Sequence, residues 1–91
     1  MWQVTSDRSQ EHFDSVDFGF EWTADGWYRW DMKAGAKAAM KARNARAREL
    51  RAAGYTVRCS AMDGLYSKGG IGSGKPHIEL HGKSYRIDAY R

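Results

Sequence analysis

The chain has 91 residues, enough for one domain across residues 1–91, and a chain of this size buries only about 60 to 65% of its unfolded surface. Leu, Ile, Val and Phe together number only twelve, but four Trp and five Tyr supply large apolar surfaces, which predicts an ordered domain with an aromatic core. The single cysteine, Cys59, excludes an intrachain disulfide and a cysteine-built zinc site. With neither a signal-peptide pattern nor an apolar run of membrane-spanning length, a soluble, cytoplasmic protein is expected.

In chain order, residues 6–15 are polar and read as a loop, and Trp2–Thr5 is open as an additional N-terminal strand. Val16, Phe18, Phe20 and Trp22 alternate with polar residues and glycine, which predicts a strand over 16–22. Thr23-Ala24-Asp25-Gly26 supplies turn chemistry, and Trp27–Trp30 returns as the second strand of an aromatic hairpin. Asp31 is placed to cap a helix from Met32 to Ala53, which Gly54 ends. Tyr55–Ala61 then reads as a strand with Val57, Cys59 and Ala61 on its apolar side, and residues 62–76 read as a glycine- and serine-rich loop. A second hairpin closes the chain, with Ile78 and Leu80 on one arm, Gly82-Lys83 as the turn, and Tyr85, Ile87 and Ala89 on the return. The order β-β-α-β-β-β, with or without the strand at Trp2–Thr5, predicts an α+β fold in which one helix packs on a mainly antiparallel sheet.

Charge is divided along the chain. Residues 1–31 carry two basic and seven acidic side chains, and residues 32–91 carry thirteen basic and four acidic ones. At 100° per residue, Lys33, Lys37, Lys41, Arg48 and Arg51 fall within an arc of about 80° on the helix. Arg43 and Arg46 lie on another flank, close to Met32, Ala36, Ala39 and Leu50, and a third arc is mostly alanine. The pattern leaves open which of the last two packs on the sheet. A solvated helix face usually mixes acids with bases, whereas residues 32–53 hold seven basic side chains and Glu49 alone as an acid. An ordinary solvated face and a polyanion-binding face are equally consistent with such a stripe, and the unrelieved repulsion favours an anionic partner.

Gly69-Gly70-Ile71-Gly72-Ser73-Gly74-Lys75-Pro76 matches the spacing of a phosphate-binding loop, but Pro76 replaces the hydroxyl residue that would hold magnesium, and a strand rather than a helix follows. What survives is a glycine-lined concavity flanked by Lys68 and Lys75, suited to one phosphate or a partner's edge; the alternative is a plain connection. His77 and His81 would stand about 13 Å apart on a strand, too far to share a metal ion, so neither metal nor cofactor is expected. No complete catalytic set is present, which predicts a non-enzymatic protein.

The segments Ala42–Ala47, Leu50–Val57 and Gly69–Leu80 resemble small phage and prophage proteins to which no fold or activity is attached, a resemblance confined to Lys41–Leu80. It implies a host-cell context, in which such proteins often bind and block host machinery, including nucleic-acid-handling defence complexes. The reading that results is a small nucleic-acid-binding module, with Lys33, Lys37, Lys41, Arg48 and Arg51 on the helix and Lys68 and Lys75 at the loop as its contacts. The alternative is a phage-encoded inhibitor or adaptor of anti-defence type, such as an anti-CRISPR, that binds an acidic surface of a host protein complex.

Overall fold

A computed structural model describes residues 8–91. It contains β1 (Arg8–Asp14), α1 (Ser15–Gly19), β2 (Phe20–Trp22), β3 (Tyr28–Trp30), α2 (Met32–Ala52), β4 (Thr56–Gly70) and β5 (Lys75–Tyr90). The fold is α+β: one long helix packs on an antiparallel sheet of order β1-β5-β4, and β2 and β3 form a separate two-stranded hairpin. The expectation for Trp2–Thr5 lies outside the described residues. Among the described residues no helix is long and apolar enough to cross a membrane.

The long helix begins and ends as its capping residues dictate. Asp31 is extended, and its side chain accepts from the Ala34 amide at 2.9 Å. At the other end Gly54 takes φ +95°, Tyr55 N donates to Leu50 O at 3.0 Å and Gly54 N to Arg51 O at 3.0 Å, the bond pair of a Schellman ending. Tyr55 also packs against the cluster that contains Leu50, the apolar contact such an ending needs.

The side of α2 that faces the sheet is the one carrying Gly35, Ala39, Ala47 and Leu50. Ala47 and Leu50 meet Ile87 and Ala89 of β5, flanked by Phe13, Tyr55 and Val57, while Gly35 lies against α1. The alanine-rich arc at Ala34, Ala38 and Ala45 is therefore not the packing face. The core differs from the aromatic one expected: among the described residues its buried apolar members are Val16, Ala39, Ala47, Leu50, Leu80, Tyr85, Ile87 and Ala89. Only one of them is aromatic. The Trp and Phe rings of β2 and β3 are half-buried and contact one another instead, Phe20 stacking on Tyr28 at 5.6 Å.

Four local expectations give way to tertiary contacts. Residues 15–19 are a short helix rather than the start of a strand, because Ser15 and Gly19 approach the backbone of Gly35; a Cβ on Gly19 would lie 2.7 Å from Gly35 Cα. Val16 is buried while Phe18 is 45% exposed, so their alternation never marks one face. Residues 8–14 form β1 rather than a loop, since Glu11, directed towards α2, is satisfied by Arg46 at 3.0 Å instead of by apolar packing. The loop expected over 62–76 is mostly strand: β4 pairs with β5 as far as Gly70, leaving a tight turn at residues 71–74. Gly82-Lys83 is not a turn, for β5 runs straight through it. Gly82 is needed because a Cβ there would meet Ser15 Oγ at 2.7 Å and the Tyr66 ring at 3.1 Å, a close approach rather than a change of direction.

Cys59, expected as a small core residue, is exposed. α2 lies mainly over β5 and β1, which leaves the helix-side face of β4 open at Cys59 and Ala61.

Two stability outcomes follow. Replacing Gly35 by Ala adds up to about 1 kcal/mol of helix propensity but drives a methyl into the Ser15 carbonyl, an overpacking cost of about 1 to 3 kcal/mol. Net destabilisation in urea melts is expected, and a Gly35→Ala protein as stable as the parent would show that α1 and α2 do not touch there. Gly54→Ala should cost about 1 kcal/mol, because alanine resists the positive φ, and an unchanged melting temperature would place the helix end elsewhere.

Candidate functional site

The seven basic residues of α2 divide into two groups according to where the core turns the helix. Arg43 and Arg46 lie on the edges of the packed face and reach opposite sides of the sheet. The Arg43 guanidinium donates to Ser60 O on β4 at 3.0 Å and stands 5.5 Å from the Tyr85 ring centroid. Arg46 donates to both oxygens of Glu11 on β1, at 3.0 and 3.1 Å, and to Glu49 at 3.0 Å. The hydrogen bonds to Glu11 and then Glu49 raise the Arg46 pKa above its ordinary value and keep the group charged.

Lys33, Lys37, Lys41, Arg48 and Arg51 occupy the opposite side of the helix, and all five are exposed. Among the described residues none of them pairs with a carboxylate. Asn44, the remaining residue of this arc, accepts from Arg43 Nε at 2.8 Å, so the arc's polar side chains are otherwise turned to solvent. At a rise of about 1.5 Å per residue the ridge from Lys33 to Arg51 extends about 27 Å.

The acidic segment does not cover this ridge. Among the described residues Glu11–Arg46 is the one ion pair joining the acids of residues 8–31 to α2. Asp31 caps the helix, Asp14 accepts from the Tyr66 hydroxyl at 3.3 Å, and Glu21 pairs with Arg29 at 3.6 Å within the aromatic hairpin. Asp25 is turned into its own turn, where it accepts from Thr23 and from the Trp27 amide.

Lys68 and Lys75 are not part of the ridge. They are placed near the far end of the long β4–β5 hairpin, where Lys68 Nζ sits 5.7 Å from the Phe20 centroid and Lys75 Nζ 5.5 Å from the Trp22 centroid. Arg48 and Arg51 lie instead beside the start of β4, where Leu50 packs near Tyr55 and Val57. The seven basic residues singled out from the sequence thus form two clusters, five on the helix and two against the aromatic hairpin. The hairpin itself was not read from the sequence as a buttress for the loop; the signal lay in the density of aromatic residues between Phe18 and Trp30.

A second feature borders the ridge. Met32, Lys33 and Ala36 of α2 and Asp63, His81, Gly82 and Lys83 of the sheet line a mostly apolar cleft of about 580 Å³. Lys83 donates to Asp63 at 2.9 Å at its rim, which raises the lysine pKa. No group of three or more His, Cys, Asp or Glu side chains among the described residues is disposed to hold a metal ion, and His77 is paired with Glu79 at 3.6 Å.

No family model, curated protein or solved structure matches this chain.

The two groups of cations separate in their effect on stability. Arg43→Ala and Arg46→Ala should each lower the thermal midpoint, since each removes a bond between α2 and a strand, while Lys37→Ala should leave it within error or raise it slightly by relieving repulsion. A scan in which all three behave alike would mean that the division does not hold in solution.

Proposed function

We propose that this domain is a non-enzymatic nucleic-acid-binding module that holds the phosphate backbone along the solvent-facing ridge of α2. The observation that carries this reading is the set Lys33, Lys37, Lys41, Arg48 and Arg51, which lies opposite the packed face without an acidic partner among the described residues. Unpaired like charges at i,i+4 spacing cost the isolated helix stability, and a polyanion removes that cost by replacing condensed counterions. The length of the ridge, about 27 Å, approaches one helical turn of duplex DNA, so several of its cations can meet phosphates of one groove edge together.

A second reading, an inhibitor or adaptor of a host protein complex, is favoured by the apolar cleft beside Met32 and Ala36. A protein partner would set an apolar side chain there and acidic ones on Lys33 and Lys37, whereas a phosphate backbone has no use for the cleft. Either activity is compatible with the host-cell context that the resemblance of Lys41–Leu80 to phage proteins implies.

Fluorescence anisotropy with labelled DNA and RNA oligonucleotides tests the ridge. Lys37→Ala, Lys41→Ala and Arg48→Ala should each weaken binding, and the slope of log affinity against log salt should fall by about 0.9 for every phosphate contact removed from a duplex. For a protein partner the loss would concentrate in one or two positions with weak salt dependence. A triple variant at Lys37, Lys41 and Arg48 that binds every ligand as the parent does would overturn both readings.

A further inference from the structure

The long hairpin of β4 and β5 is more than the floor under α2. Its fifteen-residue strand extends about 50 Å at 3.3 Å per residue, and it sets the 56 Å long axis of the molecule. β1 pairs only with residues 84–90 of β5, so from Gly64 to the tip the sheet is a two-stranded ribbon. Near its end the ribbon is touched by side chains of the β2–β3 hairpin. Lys68 and Lys75 lie over the rings of Phe20 and Trp22, and a Cβ on Gly69 would stand 3.2 Å from the Trp22 ring. Beyond those contacts only the turn at residues 71–74 protrudes.

At the turn stands Ile71, fully exposed. Isoleucine is a poor turn residue, and the side chain packs against nothing, so neither local conformation nor stability explains it. Its neighbours are small: Gly70 and Gly72 flank it, and open space surrounds Gly72 and Gly74. The ribbon's lysines nearest to Ile71 are Lys68 and Lys75; Glu79, further from the tip, faces His77 at 3.6 Å, and Asp25 and Glu21 of the neighbouring hairpin are engaged by Thr23, Trp27 and Arg29. An apolar tip on a two-stranded ribbon with lysines behind it fits the minor groove of duplex DNA, where an aliphatic side chain enters between base pairs and bends the duplex while the cations meet the flanking phosphates.

We infer that the β4–β5 ribbon is a DNA-bending arm, with Ile71 as the wedge and Lys68 and Lys75 as its phosphate contacts, an inference that rests on the nucleic-acid reading of the ridge. The glycines beside Ile71 let the backbone approach the groove floor, and the hairpin of β2 and β3 resists the recoil of the bent duplex. Double-stranded DNA is the substrate class this selects. A single strand, although Trp27 stands exposed beside Pro76 for a base to stack on, has no groove for Ile71 to enter, and the wide, shallow minor groove of an RNA duplex offers an aliphatic wedge no comparable grip.

A duplex of about 30 base pairs, labelled at its ends with a donor and an acceptor, separates the two readings, because anisotropy reports binding and energy transfer reports bending. The parent protein should bind and raise transfer by an amount corresponding to a bend of about 20 to 90°. Ile71→Ser should bind within about tenfold of the parent and leave the duplex straight, and Ile71→Phe should restore the bend. Binding by the parent without bending, or bending by Ile71→Ser equal to the parent's, overturns the arm and leaves the ridge standing. Absence of any duplex binding by the parent overturns the arm together with a DNA-binding ridge. Should Ile71→Ser lose binding altogether, recovery of binding and bend in Ile71→Phe supports the wedge, and failure of Ile71→Phe as well overturns it.

Discussion

The contact of α1 with α2 at Gly19 and Gly35 is the constraint around which the rest of the molecule is arranged. A side chain on either residue would run into backbone atoms of the other helix, so the two helices touch main chain to main chain. Such proximity brings Gly19 O within 3.0 Å of Asp31 N, which closes the excursion of residues 20–30 into a hairpin and leaves Asp31 extended to cap α2. It also fixes the rotation of α2. With Gly35 against α1, Ala39, Ala47 and Leu50 are carried onto the sheet, and Lys33, Lys37, Lys41, Arg48 and Arg51 are carried away from it.

The same contact is continued into the sheet by small polar groups rather than by bulk. Ser15 is buried, and its hydroxyl accepts from Lys83 N at 2.9 Å, just past the last residue pair of β1 with β5. Gly82 leaves room for that hydroxyl and for Val16. The chain thus ends β1 by substituting a side-chain oxygen for the next backbone partner, and no buried side-chain polar atom among the described residues is left without a hydrogen bond.

What the sequence discloses of this arrangement depends on whether the deciding contact is local. The cap at Asp31, the glycine ending at Gly54 and the helix between them are settled by neighbours a few residues away, and they are legible. So is the composition of the basic stripe, whose members share an arc whatever the helix packs on. The packing face was open because methionine and alanine arcs have similar claims, and it was decided by Gly35, a residue whose helix propensity alone argues against it. Gly82 was misread for a related reason: glycine serves both turns and close approaches, and only the position of Ser15 tells which. β1 was hidden because its central inward residue is Glu11, whose partner Arg46 lies 35 positions away. The site was therefore half visible, with its charges readable and its two-part division not.

That division has a physical logic. A helix that lies on a sheet through glycine and alanine gains little apolar area per residue, and the buried members of this interface are Ala39, Ala47, Leu50, Ile87 and Ala89. Directional bonds from Arg43 and Arg46 to the two outer strands add the lateral hold that so thin a core lacks, and both ends of those bonds are protein groups. Cations spent in this way are unavailable to a ligand, while those on the ridge contribute repulsion to the folded state and nothing to its packing. A surface that costs stability in the free protein while leaving the core untouched can change without unfolding the domain, so its composition is not dictated by the fold. The acids of residues 8–31 could have relieved the repulsion; the fold engages Asp31, Asp14, Glu11, Glu21 and Asp25 instead in the cap, the Tyr66 contact, the Arg46 pair and the aromatic hairpin. The positive field of the ridge is accordingly left open to an external anion.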